Sequence, residues 1–159
     1  MIDILVVDDH PVVGEGIKIC LAGEPDMRIC GVVKTEEGLW RAVAEARPDL
    51  VIMDVWLGPS DGLLLTESMR WRYPEVPVLV YSMANSVEYV HRALTFGARG
   101  YVTKDRAVEE LVPAIRHILA GHTYVSEPLE RVLAEHGLSG GRTVSPPKGF
   151  EQGRGPTRG

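Results

Sequence analysis

Residues 4–11 of this chain are "ILVVDDHP", and this stretch indicates the fold class. Four aliphatic residues run directly into Asp8 and Asp9, whose carboxylates repel each other when both are ionised. A continuous apolar run of this kind is typical of a strand that is buried on both faces of a parallel sheet. Two adjacent acids at the end of such a strand indicate a place where a cation is held.

Four further apolar runs follow along the chain, and all five predict strands that are buried on both faces. The runs lie at residues 2–8, 28–33, 50–54, 78–82 and 100–104. The segments between them have helical spacing and helix-start residues, of which Pro11, Thr35 and Asn85 are the clearest. This alternation predicts an α/β fold, with a doubly wound parallel sheet, helices on both faces and right-handed crossovers.

Two more helices are predicted after the fifth strand. One covers residues 107–120, with Pro113 as a potential bend, and a shorter one covers residues 126–137, with Ser126 as its cap. No internal repeat competes with this interpretation.

Length and composition predict one globular domain. The chain has 159 residues, of which 45% are hydrophobic, so one core of useful size can form. Cys20 and Cys30 lie in apolar stretches without a CxxC spacing, which favours reduced core thiols in a reducing compartment. No stretch approaches the roughly 18 apolar residues of a membrane span, and no signal-peptide pattern is present. We therefore expect a soluble cytoplasmic protein with no membrane partner.

Charge divides the chain into an acidic body and a basic tail. Residues 1–138 have 13 Lys and Arg against 21 Asp and Glu, whereas residues 139–159 have 4 against 1. An acidic body is a poor electrostatic match for a phosphate backbone, so we do not expect it to bind nucleic acid by itself. The tail has six glycines and three prolines and no apolar periodicity, which predicts a disordered segment or linker remnant.

Polar residues stand at the ends of four of the five apolar runs. Asp8 and Asp9 follow the first run, Asp54 ends the third, Ser82 the fourth and Lys104 the fifth. Each residue alone is explained as a helix cap, a turn residue or a solvated charge. Together they indicate a ligand site, because the carboxyl ends of parallel strands meet in one crevice.

These residue types favour phosphoryl chemistry assisted by a metal. Three crowded carboxylates must take up protons or bind a cation, and oxygen ligands select a hard ion, Mg²⁺ or alternatively Mn²⁺. Lys104 and Ser82 would bind a second anion such as a phosphoryl group. Asp54 is then left as the nucleophile.

The motifs that carry these residues resemble the receiver domain of two-component response regulators, of the NarL/FixJ-type branch with LuxR-like output. They are "VVDDHP" (6–11), "VIMDVWLGPSDG" (51–62), "VLVYS" (78–82) and "GARGYVTKD" (97–105). The resemblance covers about residues 1–122 and implies a flavodoxin-like (βα)₅ fold with strand order 2-1-3-4-5. Residues 123–138 are predicted to be a linker helix that precedes the tail at 139–159.

The resemblance also assigns roles. Asp54 becomes the phosphoacceptor and, with Asp8, Asp9 and the backbone carbonyl of Trp56, a ligand of Mg²⁺. Asp8 would act mostly through a water molecule that is bound to the ion. Lys104 would contact the phosphoryl group.

Further roles concern the switch and access to the site. Ser82 would move toward the phosphoryl group, and Tyr101 would turn inward as that hydroxyl moves. Met83 and Trp56 would control access to Asp54. His10 is interpreted as a loop or cap residue without chemistry.

The resemblance implies a sensor histidine kinase as partner and pairing of activated copies as a homodimer. DNA would be contacted only through an output domain, of which "LSGGR" (138–142) looks like the beginning and which the tail does not continue. Gly58 and Pro59 depart from the family pattern, which usually has proline at the position of Gly58.

Two alternatives remain open at this point. A haloacid-dehalogenase-like phosphatase also uses Asp, Ser or Thr, Lys and Mg²⁺, but it needs a DxD signature where this chain has "DDH" (8–10). A receiver-like interaction module that works without phosphorylation is the other alternative.

Overall fold

The computed structural model describes residues 1–137. The predicted disordered tail at 139–159 and the "LSGGR" motif at 138–142 lie outside the described residues.

Six strands form the main sheet in the order β2-β1-β3-β6-β7-β8, and all neighbouring strands are parallel. They are β1 (Ile2–Val7), β2 (Met27–Val33), β3 (Leu50–Met53), β6 (Val78–Ser82), β7 (Gly100–Thr103) and β8 (Tyr124–Val125). Two short strands, β4 (Trp56–Leu57) and β5 (Ser60–Asp61), form a separate antiparallel hairpin. The first five strands of the main sheet have the expected flavodoxin-like order, which confirms the predicted fold class.

Helices cover both faces of the sheet. They are α1 (Val13–Leu21), α2 (Glu36–Ala46), α3 (Gly62–Arg72), α4 (Val87–Thr95), α5 (Ala107–Leu119) and α6 (Glu127–Glu135), with a 3₁₀ helix at Lys104–Arg106. The helix α5 runs without interruption through Pro113. Among the described residues, no helix combines the length and the apolar character that a bilayer span needs.

Strand β1 shows how the sequence pattern divides the core. Its last four residues are fully buried, but alternate side chains face opposite sides of the sheet. Ile4 and Val6 pack with residues of α1 and α5, whereas Leu5 and Val7 pack with residues of α2 and α3. Burial of each such side chain contributes about 1.5–3 kcal/mol, so β1 anchors both layers and fixes where its acidic end lies.

The sequence interpretation was wrong for β2, which is not buried on both faces. It is an edge strand, and most of its residues are half-buried or exposed, including Val32. An edge strand has a neighbour on one side only, so its apolar residues receive less cover than those of β1 or β3. The strand β8 was not predicted, because two residues give no periodic signal.

The helix caps agree with the sequence in part. Thr35 caps α2 as predicted, since its Oγ1 accepts a hydrogen bond from the backbone N–H of Gly38 at 3.0 Å. The cap of α4 is Ser86 and not Asn85, because the Ser86 hydroxyl accepts the N–H of Tyr89. Ser126 occupies the cap position of α6, but its side chain makes no capping hydrogen bond there.

The two cysteines are free thiols, as expected. Both are half-buried, and they pack against different faces of the sheet, Cys20 beside the α1 and α5 layer and Cys30 beside the α2 and α3 layer. Burial raises the pKa of each thiol above its ordinary value, which keeps both in the unreactive protonated form.

Candidate functional site

The carboxyl ends of the central strands bring together residues that are far apart in the sequence. The backbone N–H of Asp8 donates to Val33, and the N–H of Asp54 donates to Val7, so the parallel ladders continue one residue beyond each strand. Both aspartates are therefore held by backbone hydrogen bonds at the same edge of the sheet. Their side chains are almost fully buried there.

Lys104 links these two carboxylates. It directly follows β7, and its Nζ donates to Asp8 Oδ2 at 2.8 Å and to Asp54 Oδ2 at 3.4 Å. Only 11% of the Lys104 side chain is exposed. Such a shielded ammonium compensates part of the negative charge and would hold an anion that approaches Asp54.

Asp54 retains an oxygen with no partner. Its Oδ1 is buried and accepts no hydrogen bond from the described residues. Burial, followed by the charge of Asp8, raises the pKa of Asp54 above its ordinary value, while the Lys104 ammonium opposes the rise. Because an unsatisfied buried carboxylate oxygen is costly, this atom is expected to gain a hydrogen-bond or metal partner when the protein works.

Asp9 and His10 complete a cluster with the two buried acids. One ligand atom from each of Asp8, Asp9, His10 and Asp54 lies within 4.8 Å of the others. This donor set can hold a metal ion, and its carboxylate oxygens fit a hard cation. The orphaned Oδ1 of Asp54 supports the same fit.

The position of His10 beside the three acids was not predicted from the sequence. Its Nδ1 lies 2.7 Å from Asp8 Oδ1, 3.5 Å from Asp9 Oδ1 and 3.4 Å from Asp54 Oδ2. The backbone N–H of His10 also donates to Asp8 Oδ1 at 2.8 Å, so the chain folds back over the acid at this point. No sequence signal separates this arrangement from a histidine that simply continues into α1.

The loop after Asp54 is a tight hairpin between β4 and β5. Gly58 has a positive φ of 56° and stands at the first central position of a two-residue turn, followed by Pro59. Glycine at this position is the preference of type II′ hairpins, which explains the departure from the family pattern. A Cβ on Gly58 would lie 3.5 Å from Asp9 Oδ2, so the turn packs beside the acidic cluster.

The position at the beginning of α3 must be glycine, because the backbone of Gly62 lies very close to the backbone of Asp54. A Cβ at this residue would lie 1.8 Å from the backbone oxygen of Asp54, a distance that no real contact reaches. Asp61 caps the same helix, since its Oδ1 accepts the N–H of Leu63 at 2.8 Å. The first turn of α3 thus supports the Asp54 backbone directly.

Ser82 and Tyr101 lie beside the site and form their own contacts. Both residues are fully buried. Ser82 Oγ accepts the N–H of Ala84 at 3.2 Å, and the Tyr101 hydroxyl donates to the Ala84 oxygen at 2.6 Å. Burial raises the pKa of Tyr101 well above its ordinary value, which keeps the phenol protonated as a donor.

Met83 and Trp56, the two residues expected to control access to Asp54, have large exposed side chains. Met83 is 64% exposed and Trp56 is 50% exposed. The Trp56 ring also makes an edge-to-face contact with Tyr89 of α4, with ring centroids 5.7 Å apart. This contact connects the loop after Asp54 to the helix that follows Ser82.

The sequence of this chain is similar to those of known response regulators. The profile of the response regulator receiver domain matches residues 4–116. The chain is 36% identical over 147 residues to the methanol utilization control regulatory protein MoxX of Paracoccus denitrificans, covering 91% of this chain and 66% of MoxX. It is 35% identical over 134 residues to the response regulator GacA of Pseudomonas aeruginosa, covering 84% of this chain and 63% of GacA. The chain thus spans just under two thirds of the length of these relatives.

Solved structures agree at the level of the fold. A two-component response regulator of the LuxR family from Aurantimonas superimposes with a TM-score of 0.79 at 32% identity, covering 84% of this chain and 96% of that chain. The isolated REC domain of RcsB from Salmonella enterica in its apo form gives 0.76 at 23% identity, covering 84% of this chain and 99% of that one. The matched profile and the LuxR-family neighbour establish that this chain belongs to the response regulator receiver domain family, in the branch that the sequence motifs indicated.

Proposed function

We propose that this chain is a phosphorylation-controlled signalling switch in which Asp54 accepts a phosphoryl group from a sensor histidine kinase. The orphaned, buried Oδ1 of Asp54 is the single observation that carries this proposal.

In the transfer, an Asp54 carboxylate oxygen attacks phosphorus and forms a new P–O bond. The bond between phosphorus and the kinase histidine nitrogen breaks, and the nitrogen leaves with the bonding electrons. Lys104, already 3.4 Å from Asp54 Oδ2, stabilises the negative charge of the transferring group. Hydrolysis of the acyl phosphate later resets the protein, and no free substrate is turned over.

Asp8, Asp9, Asp54 and the backbone carbonyl of Trp56 would hold the metal, which we propose to be Mg²⁺, with Mn²⁺ as a substitute. A bound cation neutralises charge on the phosphoryl oxygens and on the crowded carboxylates. His10 would have to turn its ring away from Asp9 and Asp54, both of which it now approaches within 3.5 Å. Its exposed position leaves room for that movement.

Ser82 and Tyr101 are proposed to transmit the change. A phosphoryl group adds about −1.5 to −2 charge and three acceptor oxygens, which can draw the Ser82 hydroxyl away from the N–H of Ala84. The carbonyl of Ala84 is the partner of the Tyr101 hydroxyl, so this loop and Tyr101 must adjust together. Met83 and Trp56 would limit the access of water and small donors to Asp54.

The state of the switch is proposed to control transcription. The chain matches regulators such as GacA over part of their length, and DNA would be reached through an output domain beyond the part that matches. A homodimer of phosphorylated copies is the proposed active assembly.

The test is uptake of a phosphoryl group from a small acyl-phosphate donor with Mg²⁺, measured by intact mass. Asp54→Asn should abolish uptake, whereas Asp105→Asn should retain it, because Asp105 is an exposed acid next to Lys104. Uptake that survives in Asp54→Asn would contradict the assignment.

The same experiment separates the alternatives. An interaction module that works without phosphorylation would show no uptake from a small donor or from a phosphorylated histidine kinase, and no response of tryptophan fluorescence to beryllofluoride. A phosphatase would consume donor continuously with Asp8 as its nucleophile, and Asp54→Asn would leave that turnover in place.

A further inference from the structure

We infer that the β8–α6 segment is a positioning element of the switch, which holds Tyr101 in its inward position and thereby strengthens phosphoryl binding at Asp54. This inference rests on the function proposed above. The segment is residues 124–135, which the sequence predicted only as part of a linker helix.

The backbone of β8 is bonded directly to the strand that contains Tyr101. Tyr101 pairs with Val125 in the parallel ladder. The N–H of Ser126 donates to the Tyr101 oxygen at 2.9 Å, and the Ser126 hydroxyl accepts the N–H of Thr103 at 3.1 Å. Ser126 is 1% exposed, so these hydrogen bonds are shielded from water. The segment therefore binds β7 on both sides of Val102, immediately before Lys104.

Side chains of α6 cover the same place. Leu129 and Leu133 are buried, 8% and 4% exposed, in a cluster that also contains Tyr101, Val125 and residues of α4. Without α6 this cluster would lose one wall, and Tyr101 would gain access to solvent. Docking of α6 and burial of Tyr101 are thus favoured by the same contacts.

A buried acid of α5 provides a third attachment. Glu110 is 4% exposed, and its Oε1 accepts the N–H of Glu127, the first residue of α6, at 3.3 Å. Arg106 lies 3.5 Å from its other oxygen, Oε2. A carboxylate at the beginning of a helix also interacts favourably with the positive end of the helix dipole. Glu110 therefore caps α6 from a neighbouring element.

These contacts connect α6 with the loop that carries Ser82. The Tyr101 hydroxyl is bonded to the Ala84 oxygen, and the N–H of Ala84 is bonded to Ser82. If phosphoryl binding favours the inward Tyr101, a docked α6 strengthens phosphoryl binding, and phosphoryl binding strengthens the docking of α6 by the same factor. The chain that continues from α6 then receives the signal as a change in how firmly the helix is held.

The first test measures the affinity of the full chain for beryllofluoride with Mg²⁺, followed by tryptophan fluorescence. Leu133→Ala should weaken the affinity by roughly 5-fold or more, the lower range of measured allosteric couplings. Ser126→Ala, which removes one hydrogen bond and leaves the cluster intact, should weaken it by a smaller factor in the same direction.

Two control variants separate positioning from stability. Leu21→Ala removes an equally buried leucine from the α1 and α5 layer on the opposite face, so it should lower the melting temperature and leave the affinity unchanged. Arg131→Ala changes an exposed residue of α6 and should leave both unchanged. The inference is overturned if Leu133→Ala and Ser126→Ala bind beryllofluoride as tightly as the wild-type chain.

The second test needs no variant in α6. Hydrogen exchange of the peptide that covers Glu127–Glu135 should slow when beryllofluoride and Mg²⁺ are added, and Asp54→Asn should remove the effect. Unchanged or faster exchange in a wild-type chain that binds beryllofluoride through Asp54 contradicts the inference alone. Binding that is absent, or that persists in Asp54→Asn, contradicts the proposed function and the inference with it.

Discussion

Asp54 unites burial, a nearby like charge and an oxygen without a partner. A residue that served stability alone would not combine these three properties, because each of them opposes ionisation of a carboxylate in the folded chain. The resulting loss of folding stability is explained if another group binds the Asp54 carboxylate when the protein is active. The same residue therefore gives the clearest predictions for stability and for chemistry.

Asp54→Asn is expected to stabilise the chain at neutral pH in buffer without metal ions. The folded-state pKa of Asp54 is raised above its ordinary value of 3.8, so ionisation of Asp54 weakens the fold as the pH rises above that value. The melting temperature of Asp54→Asn should exceed that of the wild-type chain at about pH 7, and the difference should disappear toward about pH 4.

Asp26→Asn is the matched control for this pH dependence. Hydrogen bonds from Arg116 lower the pKa of Asp26, so this carboxylate stabilises the fold above its ordinary pKa and the variant should be less stable at neutral pH. If Asp54→Asn behaves as Asp26→Asn does, the account of the Asp54 environment is wrong.

At the scale of the elements, the structure assigns the cap of α4 to Ser86 and not to Asn85. Ser86→Ala should lower the free energy of unfolding by about 1 kcal/mol, since it leaves the N–H of Tyr89 without its acceptor. Asn85→Ala should change it by much less. Denaturant unfolding of both variants measures the difference. A larger loss of unfolding free energy for Asn85→Ala would show that Asn85 is the cap, as predicted from the sequence.

The beginning of α3 gives a second prediction at this scale. Gly62→Ala should destabilise the chain by about 3 kcal/mol, because its Cβ would overlap the backbone oxygen of Asp54. Gly16→Ala is the control, as a Cβ there meets nothing within 4 Å and alanine gains up to about 1 kcal/mol in a helix. Thermal unfolding of both variants decides the point, and equal melting temperatures would count against the packing described here.

Particular residues show which features the sequence could predict. Asp8, Asp54 and Lys104 were predicted to meet because parallel strands place their carboxyl ends at one edge of a sheet, and the structure brings them within hydrogen-bonding distance. The strand β8 and the bonds of Ser126 were not predictable, because two residues carry no periodicity and a serine before a helix is usually its cap. His10 was missed for a related reason, since only the folded loop turns its ring toward the acids.

At the scale of the whole molecule, the site exists only when distant segments are assembled. Its acids and its lysine directly follow β1, β3 and β7, and their convergence depends on the full parallel sheet. A cation that binds this assembly, and not the unfolded chain, must therefore stabilise the entire fold.

Mg²⁺ is accordingly expected to raise the melting temperature of the wild-type chain. At about 100 times its dissociation constant the ion adds about 2.7 kcal/mol to the free energy of unfolding. Asp9→Asn should remove most of this rise in melting temperature, because Asp9 is a half-buried member of the acidic cluster that is proposed to hold the ion. A chelator should reverse the rise in the wild-type chain. Asp105→Asn should keep the full shift, and an unchanged shift in Asp9→Asn would show that the ion binds elsewhere.

Mapping of the phosphorylated residue decides whether Asp54 is the phosphoacceptor. After reaction with an acyl-phosphate donor and Mg²⁺, borohydride reduces an aspartyl phosphate to homoserine, and the modified residue is located by peptide mass spectrometry. Homoserine is expected at position 54, with aspartate intact at positions 8 and 9. Homoserine at position 8 or 9, with aspartate intact at position 54, would contradict this assignment.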